Sequence, residues 1–135
     1  MLVQSNRLRG SLPWLIAGLS LSLYASAFVA PYPSQWYSRG ILIFWAELFY
    51  FWWPLVSFAW WSNVGYWVAL AFFCRREWAP AATYGLFSVG LASTWLLLDH
   101  AAIQAPAFPL WVGSMATLTL GAFLELRHAS RVRTR

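Results

Sequence analysis

The stretch ILIFWAELFYFWWPLVSFAWWSNVGYWVALAFFCRR, residues 41–76, decides the fold class. Residues 41–74 form a run of 34 with one charge, Glu47, and the run then meets Arg75 and Arg76. An unbroken apolar stretch of about 18 residues or more is the signature of a hydrocarbon solvent. A straight helix over the whole run would measure about 51 Å, against about 30 Å for a bilayer core. The run must therefore be divided. Pro54 is the divider, because proline removes a backbone donor and kinks or ends a helix. Residues 55–74 then make one crossing. Residues 36–53 become a separate aromatic segment, interfacial or re-entrant, whose Trp and Tyr rings suit the headgroup level.

The rest of the chain agrees. It has 135 residues, 61% hydrophobic and 20% aromatic, and only 10% charged, where soluble domains carry about 25%. That composition excludes a disordered chain and an ordinary soluble domain. The single cysteine, Cys74, excludes an internal disulfide and reads as a small buried hydrophobe. The net charge is +5, and every cation is arginine: Arg7, Arg9, Arg39, Arg75, Arg76, Arg127, Arg131, Arg133 and Arg135. These residues stand at the ends of apolar runs rather than in one patch. Anionic headgroups and the positive-inside rule account for them, and nucleic acid is not an expected partner.

Three further spans follow. Residues 12–30 are apolar after Arg7 and Arg9, with Gly18, Ser22, Ser26 and Ala30 at four-residue spacing, a smooth stripe on which another helix can pack. A basic start, an apolar stretch and Ala25-Ser26-Ala27 also fit a cleaved signal peptide; the continued apolar run and the stripe favour retention. Residues 81–98 form a span opened by Pro80, and residues 108–126 form the last, with Gly113, Thr117 and Gly121 at the same spacing. Four crossings put eight of the nine arginines on one side, as orientation rules require; a fifth, through residues 36–53, would not. The expected fold is all-α: a four-helix transmembrane bundle with the aromatic segment between spans one and two. It forms one domain over residues 1–135, with both termini cytoplasmic in a bacterial inner membrane.

Chemistry-bearing residues are few. The acids are Glu47, Glu77, Asp99 and Glu125, and the histidines His100 and His128. No HxxxH, CxxC or glycine-rich phosphate loop occurs, so no metal, cofactor or catalytic set is expected. Glu47 is open to three readings: solvated at the interface, paired with Arg39, or facing a partner or polar path. Asn63 reads as an amide bonding across to a neighbouring helix, with ligand contact the alternative. Asp99 and His100 read as a polar helix end, with proton handling the alternative.

The stretch Trp60-Trp61-Ser62-Asn63-Val64-Gly65-Tyr66-Trp67, the apolar run to Arg75-Arg76, and Pro109-Leu110-Trp111-Val112-Gly113-Ser114 carry a resemblance. They resemble small uncharacterised bacterial multi-pass membrane proteins, in which Trp, two residues and Asn-Pro precede an apolar run and a basic turn. Asn63-Val64 departs from that Asn-Pro. The resemblance covers about the last 80 residues; it implies a four-span inner-membrane protein and lends no activity.

Three functions fit. The first is a non-enzymatic accessory or interaction subunit that packs against another membrane protein or itself, with the bilayer as its other partner. A small oligomeric transporter or channel, with Glu47, Asn63 or Asp99 in its path, is the second. A membrane-embedded enzyme acting on a lipid or quinone-like substrate is the third.

Overall fold

The computed structural model describes residues 2–30, 58–94 and 106–133, with side-chain surroundings for 11–30, 60–94 and 106–131. Among the described residues every regular element is a helix: α1 Leu2–Val29, α2 Phe58–Cys74, α3 Trp78–Ser93 and α4 Ala107–Arg133. The expected segment 36–53 lies outside the described residues.

Each boundary has a local cause. α1 passes through Pro13 rather than starting beside it. α2 ends in a Schellman cap: the Arg76 N–H donates to the Phe73 carbonyl at 3.0 Å and the Glu77 N–H to that of Phe72 at 2.9 Å. Arg76 holds the left-handed position of that cap, at φ 62°, where glycine usually stands and a β-carbon costs about 1 kcal/mol. α3 starts at Trp78, so Pro80 falls in its first turn, where no helical N–H partner is lost. It is described to Ser93, with Thr94 as its cap, and residues 95–98 of the expected span lie outside the described residues. The Thr94 N–H and hydroxyl both turn back on the Leu91 carbonyl, at 3.2 and 2.6 Å, tightening the last turn. α4 runs past the expected end at residue 126 to Arg133, since no proline or glycine follows Gly121 to stop it.

The four helices alternate in direction. Gly65 of α2 faces Ser88 of α3, and Gly85 of α3 faces Thr119 of α4; Gly121 of α4 faces Ile16 of α1. A β-carbon at Gly65 would sit 2.5 Å from Ser88 Oγ, and one at Gly121 2.5 Å from Ile16 Cγ2. These three glycines let the backbones approach closely. Between α1 and α2, by contrast, stand the rings of Tyr24 and Tyr66, stacked with centroids 4.6 Å apart. Small side chains fill much of the centre, among them Ala69, Ala81, Ala92 and Ala122, and the largest fully buried ones are Tyr66, Phe73, Met115 and Leu118. Outside, Trp14 is 59% exposed, Leu15 67%, Phe87 51% and Leu120 63%, an arrangement that water would penalise.

The direction of the helices also sorts the charges. Pro13 and Trp14 of α1 lie against Phe73, Cys74 and Arg76, and Glu77–Pro80 share a groove with Leu126 and Ser130. Hence Arg7, Arg9, Arg75, Arg76, Arg127, Arg131 and Arg133 all belong to one end of the bundle. Tyr24, Asn63 and Trp111 mark the other half, so α1 ends and α2 begins on the same side. Ser11–Val29 and Ala107–Arg131, of 19 and 25 residues, are long and apolar enough to cross a membrane. The described α2 and α3, of 17 and 16 residues, are about 26 and 24 Å long.

Two alanine substitutions separate close approach from mere helix membership. At Gly85 the new β-carbon meets Thr119, whose Cα would be 3.3 Å away, whereas Gly90 has nothing within 4 Å. Gly85→Ala is expected to cost about 1–3 kcal/mol and Gly90→Ala to be neutral or stabilising by up to about 1 kcal/mol. Thermal unfolding of the two purified variants in detergent checks this.

Candidate functional site

The described side-chain hydrogen bonds that run between helices converge where α1, α2 and α4 meet. Asn63, on α2, turns its side-chain oxygen between the other two helices. Asn63 Oδ1 accepts from Tyr24 OH of α1 at 2.9 Å and from Trp111 Nε1 of α4 at 2.8 Å. A carbonyl oxygen has two lone pairs, so this one is fully engaged. A turn deeper, the Ser20 hydroxyl donates to the Ser114 carbonyl at 2.8 Å. Its single proton is thereby used, so the Tyr66 hydroxyl, 2.9 Å away, is the donor to Ser20 Oγ. Ser20 and Ser114 are fully buried.

Aromatic rings enclose this centre. Phe28 and Trp67 meet Tyr24 edge-on, at 5.0 and 5.5 Å between centroids, and Trp67 also meets Tyr66 edge-on at 5.6 Å. Edge-to-face and offset-stacked rings at these separations are favourable beyond the area they bury, by about 0.5–1.5 kcal/mol a pair. Other hydroxyls are settled within their own helices: Ser88 donates to the Tyr84 carbonyl, Thr119 to that of Met115 and Thr117 to that of Gly113. Among the described residues no buried side-chain nitrogen or oxygen lacks a partner.

The chemistry of this centre is neutral. It contains amide, phenol, indole and hydroxyl groups and no carboxylate, imidazole or thiol. Among the described residues no group of three or more His, Cys, Asp and Glu is placed to hold a metal ion. The arrangement can clasp three helices.

Asn63 therefore stands at the centre of the described network. Gly121 fits closely against Ile16 and Phe73, whereas Gly18 and Gly113 have nothing within 4 Å of a β-carbon built on them. Ser22 and Ser26 are exposed and donate to the carbonyls of Gly18 and Ser22, at 2.8 and 2.7 Å. The Gly18–Ser22–Ser26 stripe thus faces outward. Glu47, Asp99 and His100 lie outside the described residues. Cys74 corrects an expectation: it is exposed rather than buried, because the interior face at the end of α2 is taken by Phe73, 1% exposed. Ser20, Tyr24, Tyr66 and Trp111 were not anticipated. The available signal was a tyrosine in mid-span, whose hydroxyl needs a partner once water is gone.

Comparison with protein-family models, with curated proteins and with solved structures finds no match to this chain.

The clasp is measurable. Asn63→Leu strands the Tyr24 and Trp111 donors and is expected to cost about 1–2 kcal/mol. Tyr24→Phe removes one bond and is expected to cost about 0.6 kcal/mol. In unfolding from mixed micelles the double variant should cost less than the sum, since both changes delete the same bond.

Proposed function

We propose that this chain is a multi-pass integral membrane protein of a bacterial inner membrane, and that it serves as a non-enzymatic accessory or interaction subunit packing against another membrane protein or against itself. The observation that carries this reading is the inversion of polarity across the bundle. Large apolar side chains such as Trp14, Leu15, Leu19, Phe87 and Leu120 point outward, while the inward polar groups bond to one another. Lipid tolerates that exterior and water does not.

Four crossings are the reading that the packing supports. α2 and α3 lie alongside α4 and α1 with their directions alternating, and their outer faces carry Trp61, Trp67, Tyr84 and Leu86. Interfacial rings and flanking arginines accommodate their shorter length. The arginine end is cytoplasmic by the positive-inside rule, which places both termini there. α1 is retained in this reading, because its removal would strip Asn63 and Tyr66 of Tyr24 and Ser20.

The subunit role rests on the outer face of α1. Gly18, Ser22 and Ser26 leave that face low, and both hydroxyls are already bonded to their own helix. A second membrane helix can approach such a face without leaving a polar group unpaired.

Reporter fusions at residue 78 and at the carboxy terminus are expected to fall on the cytoplasmic side and one at residue 104 outside. A full-length protein that stays soluble without detergent would overturn the membrane reading. Native mass measurement in mild detergent tests the subunit role. A complex is expected, and it should be lost in Gly18→Leu with Ser22→Leu while the melting temperature holds; a strictly monomeric wild type refutes it.

A further inference from the structure

We propose that the groove between the start of α3 and the end of α4 seats the headgroup of a zwitterionic aminophospholipid, its ammonium on Glu77 and its phosphate on Arg127 at the opposite wall. This rests on the membrane reading above and adds a ligand to it.

The groove has a volume of about 560 Å³ and is lined by Trp78, Ala79, Pro80, Leu126 and Ala129, with Glu77 and Ser130 as its polar members. That size takes a small organic group. It opens at the arginine end of the bundle, which is the headgroup level if α1 and α4 cross. Its floor is apolar, as an acyl chain requires and a free soluble ion does not. Glu77 is exposed and makes no capping bond to the α3 N-terminus. Exposed Arg127 adjoins Leu126 on the opposite wall, whereas Arg76, next to Glu77 in the chain, lies against Pro13 and Trp14 of α1.

The mixture of charges selects among headgroups. Arginines alone would favour any phosphate, and most of all a net anionic lipid. A carboxylate inside the groove repels a net anion and attracts a cation. Phosphoethanolamine offers both signs, and its ammonium donates hydrogen bonds to a carboxylate. Phosphocholine carries the same charges without those donors, and phosphoglycerol lacks the cation. Trp78, half-buried beside Glu77, adds an aromatic wall of the kind found at this depth.

The test uses the full chain in micelles holding equal parts of dioleoyl phosphatidylethanolamine, phosphatidylcholine and phosphatidylglycerol, with retained lipid read by native mass spectrometry. Phosphatidylethanolamine is expected to be retained about threefold over each of the others, the scale of one exposed charge pair. Glu77→Gln should abolish its preference over phosphatidylcholine. Ala129→Trp, which fills the groove from an exposed position, should lower retention of all three with the melting temperature unchanged. Equal retention of the three lipids by the wild type overturns the proposal. So does strongest retention of phosphatidylglycerol, a preference that survives both variants, or a dimer that Ala129→Trp dissociates. A protein that needs no detergent instead overturns the membrane reading beneath it.

Discussion

One oxygen atom governs the assembly of three helices. Asn63 Oδ1 accepts from a phenol on α1 and an indole on α4, and a side chain on α2 thereby sets the rotation of both neighbours. In a bilayer, the surroundings proposed for this chain, directional bonds matter more than in a water-soluble core. An apolar helix face has no hydrophobic reason to prefer a partner helix over lipid, so close packing and hydrogen bonds must supply the preference. Dispersion is strongest where backbones come near, and Gly65, Gly85 and Gly121 provide that at three of the helix contacts. At the fourth, between α1 and α2, the stacked tyrosines take up the space, and the hydroxyl network compensates for the wider separation.

This division explains why buried residues are small and exposed ones large. A soluble bundle concentrates its bulky apolar groups inside, where their removal from water stabilises the fold. In this chain the interior holds alanine, serine and glycine with a few large plugs, and leucine and tryptophan face outward. The same logic accounts for the serines and threonines that bond to a carbonyl one turn back: each hydroxyl is neutralised locally and the helix stays available for packing on that face.

Much of this was legible in the order of residues, and the reasons it stopped are physical. Apolar runs separated by proline and arginine locate all four described helices, and the Arg75–Arg76 turn locates the hairpin between α2 and α3. Counting arginines alone predicts that they gather at one end, and the bundle gathers those described there. Rotation was the missing quantity. α1 is apolar nearly all round, so nothing in residues 12–29 tells which side faces inward; Gly18, Ser22 and Ser26 look outward while Ala17, Ser20 and Tyr24 look inward. Four-residue spacing marks a smooth face without naming its neighbour. Gly121 packs closely, and Gly113, on the same stripe, does not. Cys74 was misplaced for the same reason. Asn63 stood out because an amide in an apolar run is rare, whereas the hydroxyls it works with are chemically quiet until their partners are known.

The bond from Ser20 to Ser114 joins positions 94 apart, and it links α1 to α4. During translation α2 and α3 can fold back on each other as soon as both emerge. α1 meets α2 through Tyr24 and Ser20 and their partners Asn63 and Tyr66; α4, against whose Gly121 its Ile16 fits closely, is still inside the ribosome. Until α4 emerges the Ser114 carbonyl is missing, and Ser20 has only the Tyr66 hydroxyl for a partner. α4 is thus the latch of the bundle.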